Sequence, residues 1–87
     1  MHITSMPEDY ALVLQQIQEN GQEDITNLSE SLSIRRSRLL HVISALRHKG
    51  LIRITYDYHS DLWVELSGKG RRLVSMLWPE AGLQPGY

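Results

Sequence analysis

Residues 26–50, TNLSESLSIRRSRLLHVISALRHKG, decide how the chain is read. Leu28 and Leu32 lie four apart on one face of a short helix that starts at Thr26 or Asn27, with Glu30 three residues after Asn27 at capping-box spacing. Ser33-Ile34 breaks that pattern. A second helical run follows from about Arg36 to Lys49, with Leu39, Val42, Ile43 and Leu46 on its inner face and Gly50 placed to cap its end. The flanking elements have to supply the rest of a core.

Those elements can be read outward from the pair. On the C-terminal side the period changes from 3.6 to 2. Ile52, Ile54, Tyr56 and Tyr58 alternate with Arg53, Thr55 and Asp57, a half-buried strand. His59-Ser60-Asp61 has turn chemistry. Leu62, Val64 and Leu66 alternate with Trp63 and Glu65 in a returning strand, which puts Trp63 on the outer face of a hairpin. Ser67 then caps a last helix carrying Leu73, Val74, Leu77 and Trp78 on one side and stopped by Pro79. On the N-terminal side, Tyr10, Val13, Leu14 and Ile17 mark a helix over residues 8–20. Ser5 and Glu8 have capping-box spacing, Pro7 suits the first turn, and Asn20-Gly21 supplies the stop. Gln22 to Asp24 form a polar link, and Ile25 fits a very short strand.

The order is therefore helix, short strand, helix, turn, helix, hairpin, helix. The fold class is α+β, mainly α: a three-helix core, a two-stranded β-hairpin wing and a C-terminal helix. The domain is expected to span residues 8–78, after an N-terminal extension at 1–7 and before a flexible tail at 79–87. This arrangement resembles the winged helix-turn-helix of MarR/ArsR-like transcriptional regulators. Leu28-Ser29-Glu30-Ser31-Leu32-Ser33-Ile34 is similar to the helix–turn entry of that family's helix-turn-helix. Leu39, Ile43, Leu46 and Gly50-Leu51-Ile52 are similar to its third helix running into the wing. Leu66-Ser67-Gly68-Lys69-Gly70 resembles the "L-T-x-x-G" opening of the last helix in MarR-type regulators.

Composition sets further bounds. The chain has 87 residues, 41% of them hydrophobic and 22% charged, enough for one small core and too apolar for a disordered chain. It has no cysteine, so disulfides, thiolate zinc sites and thiol catalysis are excluded. No apolar run approaches the roughly 20 residues of a membrane span, and no signal peptide opens the chain, so a soluble cytoplasmic protein is expected. No nucleophile or phosphate-loop spacing appears, so neither enzyme activity nor a cofactor is expected. Asp57, His59 and Asp61 alternate but lack an evident fourth ligand, and no metal is expected there.

The net charge of −1 conceals a segregated pattern. Residues 1–30 carry Glu8, Asp9, Glu19, Glu23, Asp24 and Glu30 and no Lys or Arg. Residues 31–56 carry Arg35, Arg36, Arg38, Arg47, Lys49 and Arg53 and no acid. Asp57, Asp61 and Glu65 follow, then Lys69, Arg71 and Arg72. Counting 100° per residue along the third helix puts Ser37, His41, Ser44 and His48 opposite its core stripe, flanked by arginines, as a surface without acids. Arg35 and Arg36 stand where the helix dipole disfavours cations, which points to a use outside folding.

The resemblance implies specific roles. Arg36, Ser37, Arg38 and His41 match the base-reading positions of double-stranded DNA recognition, with the third helix in the major groove. Thr26 and Asn27 match phosphate-binding positions at a helix start, and Arg35, Arg47 and Arg53 are further backbone contacts. Leu40 can touch a thymine methyl or be partly buried. At the wing the pattern departs from the family: the tip Asp57-Tyr58-His59-Ser60-Asp61 has no Lys or Arg where many MarR-type wings carry Asp-x-Arg. The alternative is a winged-helix protein–protein interaction module without DNA binding. Tyr10, Leu12 and Val13 with Leu73, Leu77 and Trp78 offer a homodimer seam through the first and last helices.

Overall fold

Apolar stripes from four helices and one face of a small sheet close on a single core. The computed structural model describes residues 6–59 and 61–79. Along them run α1 (Glu8–Asn20), β1 (Gln22–Asp24), α2 (Ile25–Leu32), α3 (Arg36–His48), β2 (Ile52–Tyr56), β3 (Leu62–Leu66) and α4 (Gly68–Leu77). The sheet is antiparallel in the order β1-β3-β2, so the returning wing strand is central. The core contains Val13, Leu14 and Ile17 of α1, Leu28 of α2, all four inner positions of α3, Val64 and Leu66 of β3, and Val74 of α4. Burial of each such side chain stabilises the fold by about 1.5–3 kcal/mol. Among the described residues, no helix is long and apolar enough to cross a membrane. Ser5, the rest of residues 1–5 and tail residues 80–87 lie outside the described residues.

Four expectations change. First, β1 comprises Gln22–Asp24 and Ile25 opens α2. Pairing of Gln22, Glu23 and Asp24 with Glu65, Val64 and Trp63 carries the chain in extended form to Asp24. Extended backbone is what an N-cap requires. Second, Asp24 is therefore the cap of α2, accepting from the Asn27 N–H at 2.7 Å, and the expected Asn27–Glu30 box does not form the helix start. Third, β2 ends at Tyr56, and Tyr56 and Tyr58 are exposed because the hairpin extends past the core. Fourth, Val13 is wholly buried in the core, so it cannot contribute to a dimer seam.

Between α2 and α3, Ser33 adopts left-handed backbone (φ 55°) and the Ser29 hydroxyl donates to the Ile34 carbonyl at 2.7 Å. This fixes the turn at the break seen in the sequence. Glu23 is only 2% exposed, and its carboxylate accepts from the side-chain amides of Asn20 and of Asn27, the latter at 2.6 Å. It joins the end of α1 to α2 beneath the sheet.

At the other end of α3, Gly50 turns the chain with φ +77°. The Leu51 carbonyl then accepts from the Ser67 N–H at 3.0 Å. The Ser67 hydroxyl donates to the Gly50 carbonyl at 2.6 Å and accepts from the Gly70 N–H at 3.0 Å, capping α4 as expected. Gly70 sits so close to Leu51 that a Cβ would overlap its carbonyl oxygen. Gly70→Ala is expected to destabilise the fold by about 1–3 kcal/mol, the range for overpacked sites. Gly68→Ala, whose Cβ would meet only ordinary contacts, should leave stability unchanged or raise it slightly. Urea denaturation of the two variants separates the close approach from simple helix propensity.

Candidate nucleic-acid interface

The candidate surface is the outer side of α3. Leu39, Val42, Ile43 and Leu46 are all buried, which fixes the rotation of the helix and turns Ser37, His41, Ser44 and His48 outward, as the 100° count predicts. Leu40, on the edge, is 38% exposed. Arg35 is the N-cap residue and makes no side-chain cap bond, and the first turn of α3 holds no acid. Arg35 and Arg36 thus remain at the positive end of the helix dipole with no acid in the helix's own first turn to offset them.

Two hollows flank the start of α3. One, of about 610 Å³, is lined by Asp9, Ile34, Arg35, Ser37, Arg38 and His41. The other, of about 430 Å³, lies between α2, α3 and the wing, and brings Arg36 beside Thr26 and Asn27, with Tyr56 on its wall. The structure therefore gathers six of the nine sequence-predicted site residues around Arg36 and Arg38 as two adjoining groups, and Arg35 makes a seventh. Arg47 is exposed in the last turn of α3, and Arg53 lies on β2.

Several of these side chains have partners that the sequence did not reveal. Arg38 Nε donates to Asp9 Oδ2 at 2.6 Å, joining α3 to the first turn of α1. This bond from Arg38 holds the Asp9 carboxyl below its ordinary value, against the opposing effect of burial. Arg53 pairs with Glu65 at 3.2 Å, directly across the β2–β3 ladder. Asn27 is committed twice, by its N–H to Asp24 and by its amide to Glu23. The surface expected to be free of acids is bordered by Asp9, Asp24, Glu30 and Asp61, because packing returns α1, α2 and the wing to the side of α3.

Much of the wing's acidity is structural. Asp57 Oδ1 accepts from the N–H groups of His59 (2.8 Å) and Asp61 (2.9 Å), and Oδ2 accepts from the Trp63 indole at 3.1 Å. One carboxylate closes the turn and holds the ring that the sequence placed on the outer face. Among the described residues, no group of three or more His, Cys, Asp or Glu could hold a metal ion.

With this geometry in view, the likeness to solved structures is informative. The chain is similar to BpsR of Bordetella bronchiseptica, a protein whose DNA binding is regulated by 6-hydroxynicotinic acid (21% identity, TM-score 0.79, 92% of this chain and 59% of that one). It is similar to a MarR-family transcriptional regulator of Silicibacter pomeroyi (22% identity, TM-score 0.79, 87% and 52%). It is also similar to a MarR variant of E. coli solved with operator DNA (16% identity, TM-score 0.72, 88% and 59%). The fold is the winged helix-turn-helix of MarR-type regulators. The chain spans a little over half the length of these structures, between 52% and 59%. No family model and no curated protein matches the chain.

The bonds to Asp57 hold its carboxyl below the ordinary 3.8, led by the Asp61 N–H and then the Trp63 indole. A depressed folded value means that the wing turn is fully held above pH 3.8 and is released as pH falls through that lower value. The Trp63 indole N–H resonance should therefore stay constant from pH 7 to about pH 4.5 and move toward that of a free indole in stronger acid. In Asp57→Ala the free-indole position is expected already at pH 7.

Proposed function

We propose that the chain binds double-stranded DNA as a small transcriptional regulator, with α3 in the major groove. The observation that carries this reading is the orientation of α3. Its apolar stripe is locked into the core, and Arg36, Ser37, Arg38 and His41 are held outward on its first turns. A B-DNA major groove, roughly 12 Å wide, admits one such helix. The likeness to a fold solved with operator DNA supports the same reading.

Within it, Arg36 has donors for the O6 and N7 of guanine, and Ser37 and His41 supply shorter polar groups for neighbouring bases. Arg35, Arg47 and Thr26 contact phosphates. Asn27 contributes there with what its bonds to Asp24 and Glu23 leave free, and Arg53 does so only by leaving Glu65. The wing, closed by an ionised Asp57, stays out of the minor groove. The mechanism is stoichiometric rather than enzymatic: occupancy of a site excludes or recruits the transcription machinery. A homodimer through α1 and α4, using Tyr10, Leu12, Leu73, Leu77 and Trp78, would suit a palindromic site.

One observation favours a second reading, a protein-interaction module. Asp24, Glu30 and Asp61 border Arg36, and Tyr58 is fully exposed at 102%. Fluorescence anisotropy with random-sequence duplex DNA separates the two. Four phosphate contacts should cost about a hundredfold in affinity between about 50 and about 200 mM salt. Arg35→Ala and Arg47→Ala should each lower the salt slope by about one. Arg36→Ala should leave stability within about 0.5 kcal/mol, as surface changes usually do. Absence of binding at the lower salt would favour the interaction module.

A further inference from the structure

Among the described residues, Arg38 is the one α3 cation that forms an ion pair. Its partner comes from 29 residues away, so the contact is made by the fold and not by the helix itself. Asp9 stands in the first turn of α1, where the helix dipole favours an anion, and Val13, Leu14 and Ile17 anchor that helix in the core. The carboxylate is thus a fixed point. The bond engages Nε, which leaves the two terminal nitrogens of the guanidinium fork with their donors unspent. Exposure follows the same polarity: the Arg38 side chain is 45% exposed and Asp9, behind it, 23%. Ser37 and His41 line the same hollow.

A paired guanidinium has lost most of its value as a net charge near phosphate but keeps its directional donors. We propose that Asp9 is a positioning residue that aims the terminal guanidinium of Arg38 at a guanine, so that the Asp9–Arg38 pair determines specificity rather than bulk DNA affinity. This rests on the DNA-binding reading above. It assigns to α1 a part in sequence recognition without any contact between α1 and a base. It also separates Arg38 from Arg36: Arg36 contributes charge and donors together, whereas Arg38 contributes aimed donors alone.

The test compares two probes, the duplex enriched by wild-type protein from a randomised duplex library and a random-sequence duplex. Asp9→Asn keeps the size of the side chain and releases the cation. It should bind the random duplex more tightly, with a salt slope steeper by about one phosphate. Its preference for the enriched duplex should fall at least about fivefold, the low end for one bidentate arginine–guanine contact. Asp9→Glu, which retains the carboxylate, should recover part of that preference. Arg38→Lys, which retains charge without the fork, should lose it. In the free protein, the Arg38 Nε–H resonance should be distinct in wild type and merge with those of solvated arginines in Asp9→Asn.

Equal discrimination by wild type and Asp9→Asn would overturn the inference alone, as would equally increased affinity for both duplexes, which would make Asp9 a simple competitor of DNA. An Arg38 Nε–H that behaves as solvated in wild type would also overturn it. A wild type that binds neither duplex overturns the DNA-binding reading itself.

Discussion

The carbonyl of Leu51 is the point on which the geometry of the domain depends. It accepts the Ser67 N–H and faces Gly70 at a distance that admits no side chain. Around it, the Ser67 hydroxyl bridges the Gly50 carbonyl and the Gly70 N–H, while the Lys69 ammonium donates to the Lys49 carbonyl at 3.0 Å. The end of α3 and the start of α4 are thereby tied together across the base of the hairpin. The Lys69 charge also lies at the negative end of the α3 dipole, where a cation is favourable. Fastened in this way and packed through its apolar stripe, α3 has no freedom to rotate. The outward direction of Arg36, Ser37 and His41 follows from that restraint.

Charge distribution shows how tertiary structure edits a linear pattern. In sequence, acids and bases occupy separate blocks, which implies a one-signed face. In space, Asp9 reaches Arg38 and Glu65 reaches Arg53, so two of the six cations in residues 31–56 are neutralised by direct contact. Exposed ion pairs of this kind contribute little to stability, about 0–1 kcal/mol. In the proposed DNA-binding reading their consequence is functional: they leave Arg35, Arg36, Arg47 and Lys49 as the charges available to phosphate and turn Arg38 into an oriented group. The wing follows similar logic. Asp57 is negative but occupied, since a turn with two free N–H groups and a nearby indole needs an acceptor there.

Parts of this structure were legible in the sequence because local chemistry demands particular residues. Gly50 is required by the positive φ after α3, and Ser67 is the cap that a helix start needs, whereas the close approach of Gly70 to Leu51 has no local signal. The inner positions of α3 follow from its period alone. Other parts were not legible. Asp24 and Asn27 are both good caps, and only the pairing of β1 with β3, which is remote in sequence, decides for Asp24. Alternation assigned Tyr56 and Tyr58 to the inner face but carries no information on whether anything covers that face. Glu23, in a three-residue strand, gives no sign of burial, because its amide partners come from two different helices. The Asp9–Arg38 contact has no local signal at all.

In the proposed DNA-binding reading, the first turns of α3 are the DNA surface and the wing tip is not. Residue-resolved NMR titration of the chain with duplex DNA tests this most directly. The amides of Arg36, Ser37, Arg38 and His41 should shift, together with that of Thr26, while those of Tyr58 and His59 remain in place. Shifts concentrated on the wing, with α3 unperturbed, would contradict that placement.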